Sequence, residues 1–329
     1  MSGSTAQLKN QFVWLFPGQG AQYQGMALDL WEASAAVKGL FALASESTGR
    51  DMYALLRDGD AATLKRTDLS QPAITLANLS AAAYLVEQGF RAAGVAGFSL
   101  GEYAALVTAG VISPEAAFRL VTARGEAMQA AADRLGSGAN APGMAAVIGL
   151  APEQVASLIA AWRAEGQTDL YAANHNSPVQ TVVAGTSQAL AEAATRFKLA
   201  GAKRVLRLPV AGPFHSPLIA DAAERFRPLL ESVPFADPVI PCYSNVSGAV
   251  MRTGAEAKQR ALEQITKPVR WIDEERAIAA QEGIAGVLET GPGRVLQGLW
   301  KDLGSPLPCL SAGTREAIHA VATAPLQDR

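Results

Sequence analysis

Residues 144–208 read MAAVIGLAPEQVASLIAAWRAEGQTDLYAANHNSPVQTVVAGTSQALAEAATRFKLAGAKRVLRL, and the order of apolar runs within them decides the fold. Met144–Leu150 predicts a strand, Pro152–Glu165 a helix, and Asp169–Asn174 and Gln180–Gly185 two further strands. Ser187–Ala200 predicts a second helix and Lys203–Leu208 a last strand. A βαββαβ order over roughly sixty-five residues is the ferredoxin-like arrangement. It follows a Gly-rich stretch, Gly136–Gly143, of linker composition. We therefore expect a small subdomain, residues 141–209, inserted into a larger α/β domain. That larger domain is discontinuous, built from residues 1–140 and 210–329.

Outside the insert, apolar runs bounded by Gly or Pro predict buried strands at Phe12–Phe16, Val239–Tyr243 and Ala285–Glu289. Helices are expected at Gln71–Gln88, Pro114–Leu135, Pro217–Ser232 and Val295–Leu303. With 49% hydrophobic and 18% charged residues among 329, the chain is too apolar for disorder and long enough for a substantial core. A formal net charge of −2 and no basic run argue against nucleic acid or an anionic membrane as partner. Neither Cys242 nor Cys309 sits in a CxxC pair, and with three histidines no metal site is expected. A polar N-terminus and no membrane-length apolar run lead us to expect a reduced, cytoplasmic protein.

Gly97-Phe98-Ser99-Leu100-Gly101 matches GxSxG, the strained strand-to-helix turn that projects a nucleophilic hydroxyl. Val95-Ala96 can end a strand before it, and Glu102–Val111 has helix-forming composition after it. A helix N-terminus there would aim backbone N–H groups at charge developing on a substrate oxygen. The same five residues also fit an ordinary glycine-flanked loop. A nucleophilic serine needs a base. His319 is near the C-terminus and expected to be peripheral, and His175 falls at a strand–strand turn of the insert. His215 lies in a Gly/Pro-rich loop at the domain junction and is the favoured general base. No Asp or Glu spacing completes a triad, since Asp221 reads as a surface residue, so a Ser–His dyad oriented by a backbone carbonyl is expected.

The helix from Ser113-Pro114-Glu115 has an N-cap serine and proline at its first position. At helical spacing Ala117, Leu120, Val121, Arg124, Met128 and Ala131 fall within about 60° of one line, so Arg124 sits inside the apolar stripe. An unpaired buried guanidinium costs several kcal/mol, so Arg124 is expected to meet an anion. That anion is either a protein carboxylate or a substrate carboxylate held bidentately. Pro17-Gly18-Gln19-Gly20 fails GxGxxG because Tyr23 stands at the last glycine position, and no GxxxxGK[ST] exists. The Gln19 turn can instead bring a backbone N–H opposite the elbow.

Together these residues resemble the malonyl-CoA:acyl carrier protein transacylases and the related trans-acting acyltransferases of polyketide synthases. The resemblance runs from Phe12 to about Gly304, through FPGQG at 16–20, SQPA at 70–73, GFSLGEYAAL at 97–106 and Arg124. It continues through NHNSPVQTVVAG at 174–185, GPFHSPL at 212–218, PVRW at 268–271 and GPG at 291–293. It implies an α/β-hydrolase-like large domain around the ferredoxin-like insert. It further implies Ser99 as nucleophile, His215 as base oriented by a main-chain carbonyl near Asn174 or Arg270, and an oxyanion hole from the N–H groups of Gln19 and Leu100. Arg124 would hold the malonyl carboxylate, and Phe214 would exclude a branched α-carbon. Phe98 departs from the family pattern, which has His there, and puts an apolar ring in the acyl pocket.

The implied activity is ping-pong transfer of a malonyl group from malonyl-CoA to the phosphopantetheine thiol of an acyl carrier protein, without a cofactor, in fatty-acid or polyketide synthesis. The expected form is a monomer, with a basic carrier-docking face to which Arg204 and Arg207 could contribute. The alternatives are a hydrolase that clears acyl groups from carrier proteins, a transferase for another extender group because of Phe98, or a non-catalytic carrier-binding module.

Overall fold

The computed structural model describes residues 9–136, 138 and 141–323. The first eight residues, three positions of the expected Gly-rich linker and the last six residues lie outside the described part. Ten strands follow in chain order: β1 (Phe12–Phe16), β2 (Ala92–Gly97), β3 (Gly143–Ile148), β4 (Leu170–Ser177), β5 (Gln180–Gly185), β6 (Arg204–Arg207), β7 (Cys242–Tyr243), β8 (Val250–Met251), β9 (Gly286–Glu289) and β10 (Cys309–Ser311). They form two sheets.

The larger sheet runs β10-β9-β1-β2-β7-β8, parallel from β10 to β7, with β8 returning antiparallel. β1 and β9 are buried along their whole length, as strands covered on both faces must be. The smaller sheet runs β4-β5-β3-β6 and is antiparallel throughout. With helices Pro152–Ala164 and Ser187–Leu199 between its strands, this is the ferredoxin-like order expected from residues 144–208. Every strand of the smaller sheet lies between β2 and β7 in sequence, so the larger sheet draws its strands from both sides of it. The fold is mixed α/β, a large parallel-dominated layer with a small ferredoxin-like one.

Parallel pairing places the carboxyl ends of β1, β2, β7 and β9 together, and ligands of open α/β sheets bind at such ends. The register sets Phe16 beside Gly97, so the turn after β1 and the elbow after β2 leave the sheet side by side. Phe98 N–H donates to the Phe16 carbonyl at 2.9 Å. The glycines of the motif are sterically required here. A Cβ on Gly97 would stand 2.0 Å from the Gly101 carbonyl carbon, and one on Gly101 would stand 2.0 Å from the Phe16 oxygen. The smaller sheet docks on this end through Val269: its N–H donates to the Ala173 carbonyl at 2.9 Å, and its own carbonyl accepts from His175 N–H at 2.8 Å.

Several expectations need correction. His175 lies inside β4 rather than in a turn, because the antiparallel pairing with β5 continues through His175 opposite Thr181 to Ser177 opposite Gln180. The helix expected from Gln71 begins earlier, at Thr67, and Ser70 inside it bonds back to the Thr67 carbonyl. The strand expected over Val239–Tyr243 shrinks to Cys242–Tyr243, since Pro238 and Pro241 lack the N–H groups a ladder needs. The helix expected from Pro217 opens with a 3₁₀ turn, Pro217–Ile219, before Ala220–Ser232. Pro114–Leu135 and Val295–Leu303 lie as expected. The helices Leu28–Ala33, Ala35–Thr48, Met52–Asp58, Gly254–Glu263, Trp271–Ala279 and Arg315–Thr323 were not foreseen, nor were β8 and β10. Among the described residues no helix is long and apolar enough to cross a membrane.

Candidate active site

Ser99 sits at the top of the elbow with φ 50°, a left-handed conformation for a non-glycine residue. Its N–H donates to Asn245 Oδ1 at 2.6 Å, and its carbonyl accepts from Gln264 Nε2 at 3.0 Å. Asn245, just beyond β7, also donates through Nδ2 to the Gly97 carbonyl at 2.7 Å and to Glu274 Oε1 at 2.8 Å. Its own N–H donates to Glu102 Oε2 at 2.7 Å. The backbone strain at the serine is thus held by side-chain bonds on both flanks.

His215, also at positive φ (57°), brings Nε2 to 2.8 Å from Ser99 Oγ. Its Nδ1 lies 2.7 Å from the Gln264 carbonyl, which can only accept, so Nδ1 carries the proton and Nε2 presents its lone pair to the hydroxyl. Burial and the neighbouring Arg124 push the imidazole down to about 4, so it is neutral at physiological pH. The carbonyl that orients the base was expected near Asn174 or Arg270, and that expectation is corrected. Asn174 is engaged in β4 and lines the cavity, while the Arg270 carbonyl accepts from Asp273 N–H at 3.1 Å and Glu274 N–H at 3.2 Å. Gln264, in the turn after helix Gly254–Glu263, is the residue whose carbonyl faces Nδ1.

Arg124 is 1% exposed in the middle of its helix, as the apolar stripe demanded. Nη1 donates to Gln71 Oε1 at 2.9 Å and Nη2 to Gln264 Oε1 at 3.0 Å, while Nη2 stands 3.5 Å from Ser99 Oγ. The Tyr103 ring lies 5.7 Å below the guanidinium. Among the described residues no carboxylate reaches it at ion-pair distance, so of the two anions expected for Arg124 the protein carboxylate is eliminated. Two neutral amides orient the cation, and the buried Glu102 carboxyl acts on it only from beyond ion-pair distance.

These groups line one cavity of about 200 Å³ between the two sheets. Gln19, Phe98, Leu100, Asn174 and Phe214 face the same space, so the structure brings together Ser99, His215, Arg124, both oxyanion candidates and both expected pocket phenylalanines. It sets apart His319, exposed and bonded to the Tyr84 hydroxyl, and Asp221, paired with Arg134 on the surface. Arg204 and Arg207 lie exposed on β6, Arg207 donating to the Ala141 carbonyl. Among the described residues no cluster of three His, Cys, Asp or Glu could hold a metal.

Sequence reading missed Asn245, Gln264, Glu102 and Glu274. Burial raises Glu102 to about 7, and burial with Glu102 nearby raises Glu274 well above the usual carboxylate range. The only signal for Asn245 is a polar residue two positions after a buried strand, and Gln264 has none, because both its main-chain carbonyl and its side-chain amide act on residues more than forty positions away.

A family model described as "Acyl transferase domain" matches residues 13–303. The chain is 39% identical to the malonyl CoA-acyl carrier protein transacylase of Escherichia coli over 311 residues, covering 94% of this chain and 98% of that one. It is 37% identical to the protein of the same name from Bacillus subtilis over 310 residues, 94% of this chain and 96% of the other. The crystal structure of an acyl carrier protein S-malonyltransferase from Vibrio cholerae superposes with a TM-score of 0.88 at 38% identity, over 95% of this chain and 100% of that one. With an elbow serine, a carbonyl-oriented histidine and a buried arginine in one cavity, and likeness along nearly its whole length, the chain belongs to the acyl transferase family, among the malonyl CoA-acyl carrier protein transacylases.

Proposed function

We propose that this protein moves a malonyl group from malonyl-CoA to the phosphopantetheine thiol of an acyl carrier protein through an acyl-Ser99 intermediate, serving fatty-acid or polyketide synthesis. The observation that carries the reading is the buried Arg124 guanidinium, in no ion pair among the described residues, 3.5 Å from the hydroxyl that His215 can deprotonate. Ser99 Oγ attacks the thioester carbonyl while His215 Nε2 takes its proton. The backbone N–H groups of Gln19 and Leu100 receive the oxyanion. Collapse breaks the C–S bond, and the CoA sulfur leaves with the proton from Nε2. The carrier thiol then gives its proton to Nε2, attacks the acyl-enzyme carbonyl and regenerates Ser99 on collapse.

Gln264 holds the imidazole in the tautomer both halves need. Arg124 pairs with the distal malonyl carboxylate, and an acetyl thioester would leave that cation buried and unpaired. Phe214 and Phe98 bound the acyl end. No metal or bound organic cofactor is required, because a thioester supplies its own leaving group. A monomer acting in the cytoplasm, where Cys242 and Cys309 stay reduced, completes the reading. A hydrolase clearing simple acyl chains would share Ser99 and His215 but would have no use for Arg124.

The test is intact-protein mass after brief mixing with malonyl-CoA or acetyl-CoA, for wild type, Ser99→Ala and Arg124→Ala. A malonyl adduct is expected in wild type, absent in Ser99→Ala, reduced roughly 10- to 100-fold in rate in Arg124→Ala, and discharged by added carrier protein. Acetyl loading as fast as malonyl loading, or discharge to water alone, would sink the proposal.

A further inference from the structure

Phe98 lies between the end of β2 and the nucleophile, and its ring faces the cavity that Ser99 and Arg124 share. The ring is bracketed. On one flank Gly18 is so close that a Cβ there would stand 3.4 Å from Phe98 Cδ1. On another Trp271 meets it edge-on, ring centroids 5.4 Å apart at 73°. Trp271 is fully buried at the start of helix Trp271–Ala279 and donates its indole N–H to Glu275 Oε1 at 2.8 Å, one turn along. Glu275 is itself fully buried, and its Oε2 has no hydrogen-bond partner. A buried carboxyl with an idle oxygen is unfavourable, and an indole serving only to fill core could be replaced by an apolar side chain that needs no acceptor. Burial holds that carboxyl protonated at neutral pH, its pKa pushed up to about 8.

We infer that Trp271, oriented by Glu275, is a positioning residue that pins the Phe98 ring against the acyl end of the cavity and so sets how large an α-substituent the acyl-enzyme accepts. This rests on the acyl-transfer reading of Ser99. The malonyl α-carbon lies between the carbonyl attacked by Ser99 and the carboxylate held by Arg124, and Phe98 lines the same cavity as those two groups. A ring backed by solvent or by a flexible side chain would yield to one extra methyl. A ring backed by a hydrogen-bonded indole does not, because moving it requires breaking the Trp271–Glu275 bond inside the core.

The experiment is competitive loading from an equimolar mixture of malonyl-CoA and methylmalonyl-CoA, which adds one methyl at the α-carbon, read by intact-protein mass. Trp271→Phe and Glu275→Ala are each expected to lower the malonyl preference about tenfold, the scale of one methyl in an apolar pocket. Glu275→Gln, which keeps an acceptor for the indole, is expected to restore the ratio. In a Phe98→Leu background Trp271→Phe should shift the ratio no further, because its effect passes through the ring. A ratio unchanged while both loading rates fall together would mark Trp271 as merely structural and overturn the inference. A full shift in the Phe98→Leu background would overturn it as well. Should Trp271→Phe fail to fold by circular dichroism, the contrast between Glu275→Ala and Glu275→Gln decides alone. Wild-type protein that takes neither acyl group would remove the acyl-transfer reading, and this inference with it.

Discussion

His215 is buried beside the Arg124 guanidinium, and both circumstances favour its neutral form. A base needs its lone pair free, so the acid limb of the pH–rate profile for malonyl loading should lie near pH 4 instead of near 6.5. Pre-steady-state loading between pH 3.5 and 8 checks this, and an acid limb at the ordinary histidine value would count against the burial argument. His215→Ala should lose roughly a hundred- to ten-thousand-fold in loading rate. The serine and the histidine were readable in the sequence because GxSxG is a local steric pattern and only three histidines compete for the base. The orienting carbonyl was not readable. Any residue has a carbonyl, and which one reaches Nδ1 depends on where helix Gly254–Glu263 ends against the His215 loop.

Helix Val295–Leu303 supplies Val295 and Leu299 to the cavity wall, and its N-terminus has no side-chain cap from Arg294. Its cap comes from the sheet. Glu289, the last residue of β9, accepts from Leu296 N–H at 3.0 Å and Gln297 N–H at 2.9 Å. Glu289→Ala should therefore cost about 1–2 kcal/mol in urea unfolding, as loss of an N-cap does, and loosen the cavity wall. A change within error would show that water replaces the carboxylate without cost. Pattern reading found this helix from its apolar spacing but not its cap, because the capping residue lies six positions before the helix, across the Gly291–Gly293 turn. The elements it missed, such as Trp271–Ala279 and Gly254–Glu263, are short and largely polar, so only a few apolar residues mark their buried faces in the sequence.

At the scale of the whole molecule, buried acids give the fold a definite pH response. Burial raises Glu102 to about 7 and Glu275 to about 8, against 4.5 when unfolded, and holds Glu274 well above the usual carboxylate range as well. As pH climbs above 4.5 the unfolded chain releases protons that the folded chain keeps. The stability these groups contribute is full below about 4.5 and is lost as pH rises through about 7 to 8. His215 works the other way: below 6.5 the unfolded chain binds a proton that the folded one refuses until about 4. Urea midpoints should therefore fall from mildly acidic toward alkaline pH, and Glu102→Gln should flatten that decline while keeping an acceptor for Asn245 N–H. An unchanged slope in Glu102→Gln would show that Glu102 is not the group that titrates.

By itself the sequence determined what depends on local pattern: the βαββαβ order at residues 144–208, the elbow whose glycines admit no Cβ, and the burial of Arg124 along an apolar stripe. Each follows from covalent spacing and side-chain size, which do not wait for distant contacts. Only the tertiary structure decided what lies across gaps of more than fifty residues. It joined Asn245 to Ser99, left Arg124 with two amides in place of a carboxylate, and set the Trp271–Glu275 pair behind Phe98. Those contacts exist because parallel strands bring their carboxyl ends together, and no spacing along the chain encodes which loops will then meet.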